Sequence, residues 1–93
     1  MQYTFICDWR SFEQKLLDDR FLIVTSGETF EEASKKAAEA ALKHYPDLAE
    51  YETPDTFWEG DHGATQLAAL YGDQSRSLVD ATTYDVIRAE VKS

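Results

Sequence analysis

The chain has 93 residues, of which 43% are hydrophobic and 13% aromatic, and its 18 acids against nine Lys and Arg give a formal net charge of −9. This length suits one domain, residues 1–93, with one modest core, and the apolar content excludes an intrinsically disordered chain. The charge argues against direct binding to DNA or RNA, because phosphates would be repelled, and no apolar run approaches the roughly 20 residues that cross a bilayer.

Cysteine usage and the first residues predict a cytoplasmic protein. Cys7 is the only cysteine, so an intramolecular disulfide is impossible and a reducing compartment is expected. The opening residues, MQYTFICDWR, lack the basic and then apolar pattern of a secretory signal peptide. Cys7 lies among alternating apolar residues, which predicts a buried, inert thiol.

Two strands are predicted before the first glycine. Residues 3–9 alternate, with Tyr3, Phe5, Cys7 and Trp9 on one side, and residues 20–26, RFLIVTS, are rich in β-formers. Residues 11–18 begin with a capping-box pattern and predict a short helix or turn. A connection of about ten residues is too short for a long crossover helix, so the two strands should pair antiparallel.

The strongest element signal is a helix over residues 30–45. Thr29 followed three residues later by Glu32 is a capping box, and Pro46 disfavours continuation beyond Tyr45. Apolar residues, rich in alanine, recur at helical spacing and predict a stripe that lies close to a sheet. The stripe consists of Ala33, Ala37, Ala41 and Tyr45, with Phe30, Ala38 and Leu42 beside it.

The second half of the chain gives weaker signals. Residues 48–52 are compatible with a short strand, residues 53–63 with a loop, and residues 82–91 with a closing strand. Residues 64–71, ATQLAALY, fit either a helix or a strand, and Gly72 after them favours a helix. The predicted fold is α+β: a small antiparallel sheet packed by one long helix, with a second short helix or strand near residues 64–71.

An acidic, aromatic loop is the main functional candidate. Residues 44–75 contain no Lys or Arg, and the stretch YETPDTFWEGDHG within them places Phe57 and Trp58 among acids. Such a surface would attract a basic protein surface, and large aromatics are the usual anchors of interfaces. Solubility and core capping are the competing interpretations. The predicted partner-binding residues are Asp47, Glu50, Glu52, Asp55, Phe57, Trp58, Glu59 and Asp61.

Catalytic and metal motifs are not recognisable in the chain. His44 suits the last turn of the long helix, and nothing in the spacing joins His62 to Cys7 as a nucleophile pair. Asp55, Glu59 and Asp61 do not have the spacing of an EF-hand loop. We therefore expect a non-enzymatic protein with no cofactor and no metal, present as a monomer or weak dimer.

The order of segments over residues 20–91 resembles small phage-encoded anti-CRISPR proteins that inhibit type I surveillance complexes, with most similarity to one directed at type I-E. The segments that carry the resemblance are RFLIV, TFEEASKKAAEAAL, YETP, QLAALYG and YDVIRAEV. The resemblance implies a stoichiometric inhibitor in the host cytoplasm whose acidic surface imitates DNA and blocks target DNA binding or nuclease recruitment. It carries over no particular functional residue.

The alternative is an acidic phage accessory or regulatory protein that binds another basic protein involved in handling nucleic acid. Both hypotheses rest on the same acidic surface, and they differ only in the partner.

Overall fold

A computed structural model describes residues 1–10, 20–81 and 85–88, and within them it contains a four-stranded sheet, one long helix and two short helical segments. The α+β prediction is confirmed. In chain order the elements are β1 (Gln2–Trp9), β2 (Arg20–Ser26), α1 (Phe30–His44), a 3₁₀ helix (Pro46–Glu50), β3 (Ala64–Tyr71), α2 (Ser75–Ala81) and β4 (Asp85–Arg88).

The sheet has the strand order β3-β1-β2-β4 and is mixed. β1 and β2 pair antiparallel, as predicted, with Phe5 opposite Ile23, and β3 pairs antiparallel with the other side of β1. β4 joins β2 in parallel, with Ile23 opposite Ile87. The parallel pair arises because the chain between β3 and β4 must cross from one edge of the sheet to the other, and α2 lies in that crossover.

α1 forms where the capping signal predicts it. Thr29 is the N-cap, and its hydroxyl accepts a hydrogen bond from the Glu32 N–H at 3.1 Å. The Glu32 carboxylate in turn accepts one from the Glu28 N–H at 2.7 Å, so that two N–H groups at this end are satisfied. The predicted stripe faces the sheet: Ala33, Ala37, Ala38, Ala41 and Leu42 are buried, whereas Phe30 at the start of the helix is exposed.

The main core lies between α1 and one face of the sheet. Trp9 stacks on Phe21 at a ring-centroid distance of 4.3 Å, and Phe5 and Ile23 are fully or almost fully buried beside them. Cys7 is in the same layer and is inaccessible, and burial raises the pKa of its thiol far above the usual range. The prediction of a buried thiol is confirmed.

The crossover between β3 and β4 is attached to the opposite face of the sheet through Thr4. The Thr4 hydroxyl donates to the Gly72 carbonyl at 2.7 Å and accepts from the Gln74 N–H at 2.8 Å. Gly72 has a φ of +77°, a left-handed turn that glycine adopts without strain. Leu22 and Val24, which share this face with Thr4, are buried as well.

The preference for a helix at residues 64–71 was wrong. β3 pairs with β1 from Tyr71 to Ala64, with a register shift between Ile6 and Cys7 that marks a β-bulge at the level of Gln66–Ala68. The bulge reverses the alternation part-way along the strand, which removes the period-2 signal from the sequence.

The remaining predictions are partly covered by the described residues. The predicted closing strand is confirmed at Asp85–Arg88, while its residues 82–84 and 89–91 lie outside the described residues. The predicted helix or turn at residues 11–18 lies outside them too. α2 was not predicted.

Candidate acidic interface

The acidic region begins with a 3₁₀ helix where a strand had been predicted at residues 48–52. Pro46 occupies its first turn, and the Leu48 N–H bonds the Tyr45 carbonyl at 3.0 Å, so the chain turns tightly after α1. Leu48 is buried in the core, whereas Asp47 and Glu50 are exposed. The strand prediction was wrong because a single buried leucine holds this segment and no neighbouring strand is available to pair with it among the described residues.

The loop that follows is organised around a buried acid, Glu52. Its side chain is 7% exposed, and its carboxylate accepts hydrogen bonds from the Thr56 hydroxyl at 2.6 Å and the His62 N–H at 3.0 Å. A side chain at Gly60 would collide with the same carboxylate. Glu52 therefore joins the start of the loop to its end, and it is removed from the set of residues that can contact a partner.

Residues 53–60 form a tight turn that directs both aromatics inward. The Phe57 N–H bonds the Thr53 carbonyl at 2.9 Å, and the Gly60 N–H bonds the Thr56 carbonyl at 2.7 Å. Phe57 is fully buried and meets Trp9 edge-on at 6.5 Å. Its prediction as a surface anchor was wrong: the loop turns it into the core.

Trp58 is half-buried and closes the core at its rim. Its ring lies 6.2 Å from that of Phe5, and its indole N–H donates to the Ser34 carbonyl of α1 at 3.0 Å. These contacts tie the loop to both the helix and the sheet. Trp58 is thus primarily a structural residue with one exposed side.

The acids outside this scaffold are solvent-facing. We call the exposed set Asp47, Glu50, Asp55, Glu59 and Asp61 the acidic loop surface.

Tyr51 is an exposed aromatic that the sequence analysis missed. It is 61% exposed and stacks on His62, with ring centroids 4.5 Å apart and an interplanar angle of 16°. The stack joins the two ends of the loop on the outside, as Glu52 does on the inside. One sequence feature could have indicated this exposure: Tyr51 lies between Glu50 and Glu52 at the start of the loop, outside any periodic pattern of apolar residues.

One basic side chain that contacts this loop is that of Arg10. Arg10, at the end of β1, is exposed and donates to the Trp58 carbonyl at 3.3 Å. Among the described residues, no three His, Cys, Asp or Glu side chains converge as metal ligands would.

The chain matches no protein-family model, no curated protein and no solved structure at a significant level. None of the helices in the described ranges is long and apolar enough to cross a membrane.

Proposed function

We propose that this protein is a non-enzymatic binding protein whose acidic loop surface docks onto a basic surface of a protein complex that handles nucleic acid. The observation that carries the proposal is that five exposed acids and the exposed Tyr51 lie on one short segment held by the buried Glu52. Acids that served only solubility would not need a loop fixed by internal hydrogen bonds.

The rigidity of the loop favours tight binding. Ordering a flexible loop at an interface costs free energy, and a loop already fixed in the free protein avoids most of that cost. The Glu52 hydrogen bonds, the Trp58 bond to α1 and the Tyr51–His62 stack restrict the segment before any partner arrives. Tyr51 then supplies apolar contact area among the acids, the role that exposed aromatics commonly take in interfaces.

The partner that we propose is a type I CRISPR surveillance complex. The resemblance to phage-encoded inhibitors of these complexes supports this choice, and so does the charge, since a surface that receives DNA must be basic. The acidic loop surface would occupy that site in place of DNA, or would cover the site that recruits the nuclease. Both routes require direct competition and no chemical reaction.

The test compares two variants with equal net charge. One carries Asp55→Asn, Glu59→Gln and Asp61→Asn, and the control carries Glu28→Gln, Glu31→Gln and Glu39→Gln, which neutralises three exposed acids on or beside α1. Binding to purified surveillance complex is measured by surface plasmon resonance at low and high salt. We expect the loop variant to associate about tenfold more slowly at low salt, while the α1 variant stays near the wild-type rate.

A third variant tests the aromatic contact. Tyr51→Ala should lower the melting temperature only slightly, because the ring is exposed and the hydrogen bonds of Glu52 and Trp58 still hold the loop. It should weaken binding by about 2 kcal/mol, mainly through faster dissociation.

The partner and the surface are tested separately. In one outcome, the protein does not bind the surveillance complex and instead binds another basic nucleic-acid-binding protein through the same loop. That result would support the alternative hypothesis of an acidic accessory or regulatory protein. Equal losses in the loop and α1 variants would show that only net charge matters, and the proposed surface would be wrong.

A further inference from the structure

Within the described ranges, the outer edge of β3 has no strand beside it. β3 is the terminal strand in the order β3-β1-β2-β4, and no other strand of the described residues pairs with its outer side. Natural proteins usually protect such an edge with charged residues or proline, because its free N–H and C=O groups invite another strand. β3 has neither, and residues 62–72 form the longest stretch of the chain without Asp, Glu, Lys or Arg.

Exposed apolar side chains are present on the same strand. Of the five large hydrophobic residues exposed among the described residues, Leu67 and Tyr71 belong to β3, while Met1 precedes β1 and Phe30 begins α1. Three of these touch the buried ring of Tyr3, which makes them one patch. Phe30 and Tyr71 lie 5.8 and 5.5 Å from that ring, and the Tyr3 hydroxyl donates to the Met1 sulfur at 3.7 Å.

We propose that β3 pairs antiparallel with β3 of a second copy of this chain, around a twofold axis at Ala69, to form a continuous eight-stranded sheet. The pairing segment runs from Leu67, which lies in the bulge, to Tyr71, and its residues 68–71 pair regularly with β1. In this register Ala69 faces its own counterpart, Leu67 faces Tyr71 of the second copy, and Ala68 faces Leu70. Leu67, Ala69 and Tyr71 are the exposed members of the strand, and an aliphatic–aromatic pair across strands is a favourable one.

The absence of charge is what points to a second copy as the occupant. In a twofold antiparallel pair the strand meets itself, so any charged residue near the axis would approach its own like charge. A strand from a foreign protein would not impose this condition, since one charge on β3 could be matched by an opposite charge. A run of residues without charge, in a chain where 29% of residues are charged, meets the requirement of self-pairing.

Salt distinguishes this surface from the acidic loop surface. Two molecules that each carry −9 repel one another at long range, so added salt should strengthen the dimer. Docking onto a basic partner should respond in the opposite direction. A contact limited to one strand and its flanking side chains is small, so we expect dissociation constants in the micromolar range or weaker.

The test measures oligomeric state by sedimentation equilibrium, from low micromolar to submillimolar protein. The wild type should show a monomer–dimer equilibrium that shifts toward dimer as sodium chloride is raised. Ala69→Lys should weaken the dimer at least tenfold without changing the melting temperature, because Ala69 is exposed. Ala49→Lys is the matched control, the same substitution at an exposed alanine of the 3₁₀ helix, and should dimerise like the wild type.

Cysteine cross-linking tests the register. Opposed residues of an antiparallel pair have Cβ atoms about 4.5–5.5 Å apart, close to the separation that a disulfide spans. Ala69→Cys should therefore form a covalent dimer in the presence of oxidised glutathione, whereas Ala49→Cys should not, and the buried Cys7 should not compete.

A wild type that stays monomeric at submillimolar concentration in high salt would overturn the proposal. So would a dimer that Ala69→Lys leaves intact and Ala69→Cys does not cross-link. Loss of surveillance-complex binding in Ala69→Lys, in a protein that never dimerises, would assign the edge to a foreign strand instead.

Discussion

The side chain of Trp58 connects three parts of the molecule: the acidic loop, α1 and β1. Because it is half-buried, we expect Trp58→Ala to lower the free energy of unfolding by about 2–3 kcal/mol, less than the roughly 3–5 kcal/mol for large aromatics in a core. Trp58→Phe keeps most of the packing and loses the bond to the Ser34 carbonyl, so it should cost only about 1 kcal/mol. Urea denaturation measures both, and equal losses would show that packing contributes little here.

Glu52 differs from the other acids of its loop in being buried and bonded. Glu52→Ala would leave the Thr56 hydroxyl and the His62 N–H without their acceptor, so we expect a loss of about 2–3 kcal/mol in unfolding free energy. Asp55→Ala, at an exposed acid three residues away, is the control and should change stability by less than about 0.5 kcal/mol. A Glu52→Ala protein as stable as the control would show that the loop does not depend on the buried carboxylate.

The acidic and aromatic character of the loop is evident in the sequence, but the direction in which each side chain points could not be predicted from it. Phe57 and Trp58 are adjacent, yet one is fully buried and the other half-buried, because the turn over residues 53–60 sets their directions. Glu52 shows the same limitation: its burial depends on donors at Thr56 and His62 that only the folded loop brings together. Tyr51 was missed because no local pattern shows that its ring stays outside, stacked on His62, while the next residue, Glu52, is buried.

At the scale of elements, a polar network fixes the crossover that begins after β3. The Asp73 carboxylate accepts hydrogen bonds from the Ser75 hydroxyl at 2.6 Å and N–H at 3.0 Å, and from Arg88 of β4 at 2.8 Å. The hydrogen bonds from Ser75, together with the one from Arg88, lower the pKa of Asp73 to about 2. The network joins the crossover to the strand at the far edge of the sheet.

This network should make stability depend on acid pH. Because the pKa of Asp73 is lower in the folded chain than its ordinary value of 3.8, the unfolded chain binds more protons as pH falls, and the stabilisation is lost between about pH 4 and pH 2. Asp73→Asn should be less stable than the wild type near neutral pH, and the difference should shrink over that window. Because Arg88 is 57% exposed, the difference should also shrink with salt. Unfolding by urea at several pH values measures it, and a constant difference would contradict this assignment.

Element types were predictable where local signals and tertiary packing agree. α1 has a cap, a stripe and a stop signal, and all three appear in the structure. β3 was mistaken for a helix because its bulge interrupts the alternation of apolar and polar residues. β4 was expected in an antiparallel sheet because no sequence pattern predicted the crossover through α2. Bulges and crossovers depend on which strands become neighbours, information that no local pattern contains.

For the whole molecule, the excess of acids predicts a stability that depends on ionic strength. A compact chain of formal charge −9 repels itself, and salt screens this repulsion. We expect the melting temperature to rise as sodium chloride increases from low to physiological concentration. The variant with Asp55→Asn, Glu59→Gln and Asp61→Asn should start higher and rise less. A wild-type melting temperature that falls with salt would indicate that ion pairs such as Glu32–Lys36 outweigh the repulsion.

The reactivity of the single cysteine, Cys7, can be used to measure cooperative opening of the core. Cys7 lies in β1, between two neighbouring strands and beneath α1, and its thiol is inaccessible. A thiol-specific dye can react only when this layer comes apart, so the labelling rate measures how often the centre of the protein opens under native conditions. Trp58→Ala should accelerate labelling, while Tyr51→Ala should leave it unchanged. Opening of the core and recognition at the surface can thereby be measured separately, with no cysteine added to the chain.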